Sequence, residues 1–379
     1  MRLLPVIKNI FFSIPYNGDN NIVDIASDTV NEIYGATNDS GFLNGRSSSP
    51  MPKIGNRKLS NFLLKCNEGK IHFNYTLNAP WQGIQQFDKI FYDNLYNFLG
   101  FLSNIGVWGI TITLPSILMF SKKYFPNLFV TISKFARVNS IQRLRYWEDL
   151  GADRVCLDGN ITKNLNCIKT IVDKSSIDVQ LLVNDACLPD CPFENCHSIY
   201  ESIHSHKNEK LPEYKRYFSS LCKYMMYKDL SLILRSTFIR PEDINAYNNL
   251  GVNYFKIVDR NKPTWWIKRV IKAYLEQSYD SNLGDILSLL SSTSNDDHNG
   301  VPVFIDNKKL DGYLNKINSK ANCVTHNTNT CEECGFCKEF AKSCIKRTKE
   351  NTNFIKNTRP IIRYHEYDQY GENFLGKEH

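Results

Sequence analysis

Apolar residues recur along this chain in two alternating rhythms. Short runs of strand length, each closed by a polar residue, alternate with stretches whose apolar positions fall on one helical face. The runs are residues 6–14, 71–77, 106–112, 128–132, 154–157, 179–183, 230–234 and 254–257. Helical spacing is read over 24–34, 59–64, 87–102, 116–124, 140–150, 164–172, 212–226, 241–250 and 264–279. Eight strands separated by helices, at spacings short enough for right-handed crossovers, predict an α/β fold: a (β/α)8 TIM-barrel-like domain over residues 1–290. The segment SSTSNDDHNG from Ser291 reads as a linker, and residues 291–379 as a small cysteine-rich metal-binding extension. In such a barrel the residues closing the strands ring one mouth, here Asn78, Thr113, Ser133, Asp158, Asn184, Ser236 and Arg260. The stretch GATNDSGFLNGRSSSPMPKIG, with Arg46 inside it, is a long loop. It reads either as a basic flap over an anionic substrate or as a solvated excursion.

Twelve cysteines change this picture from a fold to a chemistry. LVNDACLPDCPFENCH places Cys187, Cys191, Cys196 and His197 in an irregular loop directly after a buried strand, with Pro189 and Pro192 preventing any regular element from running through. Thiols so closely spaced suit a metal or an iron–sulfur cluster, disulfides in an oxidising compartment, or simply small buried side chains. A second set lies in NCVTHNTNTCEECGFCKEFAKSC. There Cys331, Cys334 and Cys337 form CxxCxxC, with Cys323 before and Cys344 after, and His326 as an alternative ligand. Two consecutive CxxC steps followed by a helix resemble bacterial ferredoxin ligation, and a fourth thiolate would complete either a cluster or a zinc site. Cys66, Cys156 and Cys167 stand in apolar contexts and read as core.

The net charge of +7 permits an anionic partner such as RNA or an acidic peptide without requiring one. No stretch is long and apolar enough to span a bilayer, and the first fifteen residues lack a signal-peptide pattern, so a cytoplasmic, reducing setting is the expectation. There, clustered cysteines favour metal over disulfides. HExxH and GxSxG are both absent, so no metalloprotease or serine-hydrolase motif supports peptidase chemistry, although a nucleophilic cysteine with His197 or His204 remains open.

Several segments together resemble the collagenase-like peptidase family U-32, in a branch with an appended cysteine motif. They are EIYGATNDSGFLNGR, FNYTLNAP, ITITLPSI, VTISKFARVNSIQRLRYWEDLGADRVCLD, LLVNDACLPDCPFENCH, FIRPEDINAYNNLGVNYFKIVDR and WWIKRVIKAYLEQSYDSNLGDIL. The resemblance implies a barrel-like domain carrying a 4Fe–4S cluster on four cysteines. It also implies oxygen-independent hydroxylation of RNA bases or small precursors, with a carboxylate such as prephenate as oxygen donor in some members. On this sequence it points to Cys187, Cys191 and Cys222 as ligands. The usual CxxxxxxC pair is absent, and Cys196 is the nearest fourth candidate. Arg240, Glu242, Lys256 and Arg260 match the family's RPED and K-x-x-x-R features and are the expected anchors for a substrate or donor anion, with Asn184 and His197 as further active-site candidates. The expected cofactors are one or two 4Fe–4S clusters, zinc being the alternative in the tail. The alternatives in function are a cysteine-dependent peptidase or peptide-maturation enzyme, and a zinc-containing RNA- or peptide-binding module.

Overall fold

The computed structural model describes residues 10–25, 29–46, 53–205, 217–291, 302–319 and 331–363. Eight parallel strands close into a barrel in sequence order: β1 Phe11–Pro15, β2 Glu32–Gly35, β3 His72–Leu77, β4 Gly109–Ile112, β5 Phe129–Ile132, β6 Arg154–Cys156, β7 Asp178–Leu182 and β8 Tyr254–Lys256. Closure is made by β8 on β1, with Phe11 beside Tyr254 and Ser13 beside Lys256.

The eight-stranded barrel is thus as expected, but two of its assigned members are not. Helical spacing of Ile25, Val30 and Ile33 predicts a helix over residues 24–34; the described chain instead ends a 3-10 turn, Asn20–Ile25, at Ile25 and forms β2 at Glu32–Gly35, paired with β1 and β3. Residues 230–234 were read as a strand because they are nearly all apolar. They form a single helical turn, Ser231–Arg235, started by Asp229, whose carboxylate accepts from both the backbone N–H and the hydroxyl of Ser231. A carboxylate accepting first-turn N–H groups starts a helix, and so short an apolar run gives little periodicity to oppose it.

Alternation along the strands gives the barrel an uncommon interior. Phe12, Ile33, Phe73, Ile110, Val130, Val155, Leu181 and Phe255 are fully or almost fully buried. They alternate with Ser13, Glu32, Asn74, Thr111, Thr131, Arg154, Gln180 and Lys256, which are also buried. The apolar set faces the helices and the polar set faces the barrel axis. Arg154 Nη1 donates to Glu32 Oε2 at 2.8 Å, a contact between β6 and β2, which lie on opposite walls, so it crosses the interior. Ser13 donates to Glu32 at 2.5 Å and Gln180 donates to Ser13 at 3.1 Å. Thr111 donates to Asn74 at 2.6 Å. Buried polar groups are tolerated only when they find such partners.

The helices around the barrel start where their capping residues direct. Asp88 accepts from Ile90 N at the start of helix Lys89–Asn104, Ser140 from Arg143 N at Ile141–Asp149, and Asn164 from Cys167 N at Leu165–Lys174.

The chain divides into two interleaved compact units. The first comprises Met1–Asp185, Glu194–Glu209 and Phe238–Ser278; the second comprises Ala186–Phe193, Lys210–Thr237 and Tyr279–His379. The first unit holds the barrel. The second contains helix Tyr217–Lys228, the short helix Ser231–Arg235, helices Phe336–Cys344 and Lys349–Arg363, and an antiparallel pair, Val303–Ile305 with Ile345–Arg347. No described helix is long and apolar enough to cross a membrane.

Candidate functional site

The C-terminal ends of the strands enclose a cavity of about 70 Å³. Its walls include Tyr34, Arg46, Thr76, Asn78, Thr111, Ser133, Lys134, Cys156, Lys256, Asp259 and Arg260. Lys256 closes β8, and its position two residues after Tyr254 turns its side chain to the barrel axis. The ammonium lies 3.7 Å from the centre of the Tyr34 ring. Tyr34 is itself held, because its hydroxyl donates to Ile257 O at 2.9 Å. Arg260 Nη1 donates to Thr76 Oγ1 and Nη2 to Asn44 Oδ1, both at 3.2 Å. Lys256 is 9 % and Arg260 6 % exposed, and among the described residues neither has a carboxylate at ion-pair distance.

Burial sets the electrostatics of these cations. Loss of solvent, helped by the neighbouring Arg260 and Arg154 and opposed by the pull of Cys156 and Glu32, lowers the Lys256 pKa to about 8. Burial likewise lowers Arg260 to about 10. Both cations therefore stand in an environment that disfavours their charge, and an arriving anion would relieve it. The backbone at Asp259 adds a local cost, since its φ of 100° is one that side-chain-bearing residues rarely adopt.

Residues 43–46 of the loop after β2 fold onto this mouth. Gly45 N donates to Asn78 Oδ1 at 3.0 Å, Leu43 N to Gln82 Oε1 at 3.0 Å and Asn44 N to Ser205 Oγ at 3.0 Å. Gly45 has to be glycine here, because a Cβ would lie 2.4 Å from the Phe135 ring. Arg46 is thereby brought to the cavity wall, in keeping with the basic-flap reading of the loop.

Cys156 is buried, as its apolar context predicts, and it also lines the cavity. It is 2 % exposed and lies on the same inward face as Arg154. Burial pushes its thiol up to about 12, although Lys256 and Lys134 pull the other way. Tyr34, Thr76 and Asn44 were also not singled out. The signal that could have found Cys156 and Tyr34 is alternation: each lies two residues after a charged residue on its strand, and a face that carries charge inside a barrel faces the axis.

Asn184 is fully buried. Its side chain clamps the chain after β8, accepting from Val258 N at 2.8 Å and donating to Val258 O at 3.3 Å. Arg240 is placed differently from the expectation too. It follows the helical turn Ser231–Arg235 rather than a barrel strand, and it pairs with Glu242 at 3.5 Å and Asp243 at 3.9 Å. His197 lies on helix Glu194–Ile203 and pairs with Glu201 at 3.5 Å, while Cys196 beside it is exposed. At the same end of the barrel Lys134 pairs with Asp185, and Arg137 with Asp158 and Glu194.

The second unit brings Cys187, Cys191 and Cys222 together. Cys222 lies on helix Tyr217–Lys228. A shared hydrogen bond with Cys191, then burial, then repulsion from Cys187 all push its thiol up. Cys187 is fixed through its backbone: its N–H donates to Thr237 Oγ1, and its carbonyl accepts from Thr237 N, both at 3.2 Å. In the tail, Cys331 and Cys337 have separate partners. Arg235 hydrogen-bonds Cys331; burial opposes the guanidinium's charge, but this bond and the charges of Cys331, Asp229 and Cys337 prevail and raise its pKa. Tyr313 Oη lies 3.2 Å from Cys337 Sγ. Cys334 is exposed, while Cys344 is buried, its thiol pushed up to about 11 and donating to Phe340 O at 3.3 Å. Cys323 and His326 lie outside the described residues. Among the described residues, no three Cys, His, Asp or Glu side chains converge closely enough to enclose a metal ion as they stand.

Comparison with known proteins agrees with the fold. The solved structure of the U32 peptidase Mk0906 superposes with a TM-score of 0.51 at 13 % identity, covering 68 % of this chain and 96 % of that one. An uncharacterized protease of Methanocaldococcus jannaschii is 34 % identical over 246 residues, 65 % of this chain and 68 % of the relative. The family model for peptidase family U32 matches residues 85–285, from the turn before helix Lys89–Asn104 to beyond the end of β8. Strands β4 to β8, the cysteine loop that leaves β7 and the cationic end of β8 fall within the matched span, which covers more than half of the chain, and the chain belongs to peptidase family U32.

Proposed function

We propose that this chain is an iron–sulfur-dependent modifying enzyme that takes the anionic end of its substrate, or of an oxygen donor, into the mouth of the barrel. The observation that carries this reading is the pair of buried cations, Lys256 and Arg260, facing one cavity without a carboxylate partner among the described residues. A planar guanidinium with only two of its N–H donors engaged suits a carboxylate or phosphate, which can accept two parallel hydrogen bonds. A cavity of about 70 Å³ admits an end group rather than a whole nucleotide or peptide. The rest of an RNA, peptide or small-molecule precursor would lie outside it.

The donor type in the second unit is the one a cluster uses: Cys191 hydrogen-bonds Cys222 with Cys187 nearby, although these thiols would have to draw closer to share a metal centre, and their mutual contacts disfavour the thiolate. A cationic metal centre reverses that balance, because it stabilises each thiolate it ligates. Cys187, Cys191 and Cys222 would hold the inner cluster, and Cys331, Cys334 and Cys337 a second cluster or a zinc ion. When bound, an iron–sulfur cluster supplies one-electron chemistry of the kind oxygen-independent hydroxylation needs. The chain's own residues would anchor the anion (Arg260 and Lys256), orient it (Thr76 and Tyr34) and cover it (Asn44 and Arg46).

A cysteine-peptidase role for Cys156 is disfavoured, because a thiol pushed up to about 12 stays protonated at neutral pH and is a weak nucleophile. The test is calorimetric titration of the intact protein with small carboxylates. Binding that weakens at least about tenfold in Arg260→Lys, with the fold retained, supports the site. Equal binding by the variant refutes it.

A further inference from the structure

Lys256 has chemistry beyond attracting an anion. It is an amine at the end of a barrel strand, enclosed in a cavity, with an arginine four residues on lining the same space. Its ammonium rests on the Tyr34 ring at 3.7 Å and has no carboxylate at ion-pair distance among the described residues. Most buried lysines are held as permanent cations by a carboxylate. This one is left with a face of Tyr34, two neighbouring arginines, a buried thiol and the pull of the Glu32 carboxylate from beyond ion-pair distance. Desolvation and an adjacent positive charge are the two conditions that turn a lysine into a nucleophile. The aromatic contact works against this by favouring the ammonium. Burial outweighs it enough for the amine to lose its proton near pH 8.

We propose that Lys256 condenses with the carbonyl of a small oxo-carboxylate whose carboxylate is gripped by Arg260, so that the barrel mouth forms a covalent imine. The proposal rests on the anion-site reading above and adds a bond to it. The neutral amine nitrogen attacks the carbonyl carbon, a C–N bond forms, and the carbonyl π pair moves to oxygen. The amine loses its protons as the former carbonyl oxygen gains them, and that oxygen leaves as water. No oxidant or reductant is consumed. Arg260 supplies the geometry: with Nη1 on Thr76 and Nη2 on Asn44, the guanidinium is fixed in the cavity wall and keeps donors for the carboxylate. The oxo group belongs next to the carboxylate because a cavity of about 70 Å³ has room for little beyond the two groups themselves. This class is the 2-oxo acids.

The experiment is borohydride trapping on the full chain, purified without oxygen, with pyruvate as the probe. Hydride adds to the imine carbon and converts it to a stable secondary amine. The expected result is one reduced adduct per chain, located by peptide mapping on Lys256. It should be lost in Lys256→Arg and need at least about tenfold more pyruvate in Arg260→Lys. Lactate, which has the carboxylate but no carbonyl, should compete without being trapped. Calorimetry with lactate separates the two claims. Lactate and pyruvate binding with no adduct at Lys256 overturns the imine and leaves the anion site standing. Failure of both acids to bind overturns the 2-oxo-acid assignment and counts against the anion site as well. Adducts scattered over surface lysines, unchanged in Lys256→Arg, also overturn the imine. Mapping on the unaltered protein keeps the test decisive even if a variant fails to fold.

Discussion

Replacing Lys256 by methionine should stabilise the protein at neutral pH while removing its capacity to bind an anion. The perturbation keeps the length and apolar stem of the side chain and deletes the charge. A lysine that loses its proton near pH 8 instead of 10.5 carries a burial penalty of about 3 kcal/mol whenever it is charged in the native state. Against this, the ammonium over Tyr34 contributes about 1–2 kcal/mol, and methionine recovers part of that through sulfur–aromatic contact. The net expectation is a gain of about 1–2 kcal/mol. The pH dependence is the sharper signature. Below about 8 the lysine is protonated in both folded and unfolded chains, and the penalty is present in full. Between about 8 and 10.5 the unfolded chain binds more protons than the native one, so the stability of the unaltered protein rises with pH. Above 10.5 the penalty is gone. Urea unfolding of both proteins over this range should therefore give a difference that is constant near neutrality and shrinks as pH rises. A difference that does not change with pH, or a variant less stable throughout, would refute the assignment of Lys256 as a desolvated cation. Such a residue, costly to the fold and placed at the site, is what a stability–function trade-off produces.

Other consequences can be checked in parallel. Removing Arg154 by Arg154→Leu strands the Glu32 carboxylate inside the barrel, and breaking a buried pair in this way should cost about 3–5 kcal/mol in chemical denaturation. Glu32 and Arg154 replaced together should cost much less than the sum of the single changes, as a double-mutant cycle would reveal. Cys191→Ser should deplete the inner metal and spare the tail metal, read as iron and zinc per chain; equal loss from both would contradict two independent centres. Asn44→Ala removes one of the two acceptors that fix Arg260, and should weaken carboxylate binding severalfold in calorimetry without shifting the unfolding midpoint by more than about 1 kcal/mol.

Much of the barrel is legible in the sequence because strand and helix carry different periods, and long amphipathic helices such as Lys89–Asn104 leave little ambiguity. The count of eight strands nevertheless came out right through two offsetting misreadings. Glu32–Gly35 is too short for its alternation to outweigh the helical spacing of the residues before it. Ser231–Arg235 looks like a buried strand until the capping by Asp229 is considered. Lys256 and Arg260 stand out in the sequence only through the K-x-x-x-R feature of the resemblance, and the fold sets both on the wall of one cavity. Cys156 does not stand out as a site residue, because a cysteine between valine and leucine reads as core, and only closure of the barrel turns its face to the cavity. The sequence context of Arg240 allows either an anion anchor or an ion pair with Glu242 or Asp243, and the fold makes the ion pairs.

The central claim, an iron–sulfur enzyme with an anion-binding barrel, is tested most directly by the iron and acid-labile sulfide content of the intact protein purified without oxygen. The account predicts a brown protein in which iron and sulfide are present together, and both fall when Cys187, Cys191 or Cys222 is replaced by serine. A colourless protein containing zinc alone, or iron content unaffected by those three replacements, would contradict it.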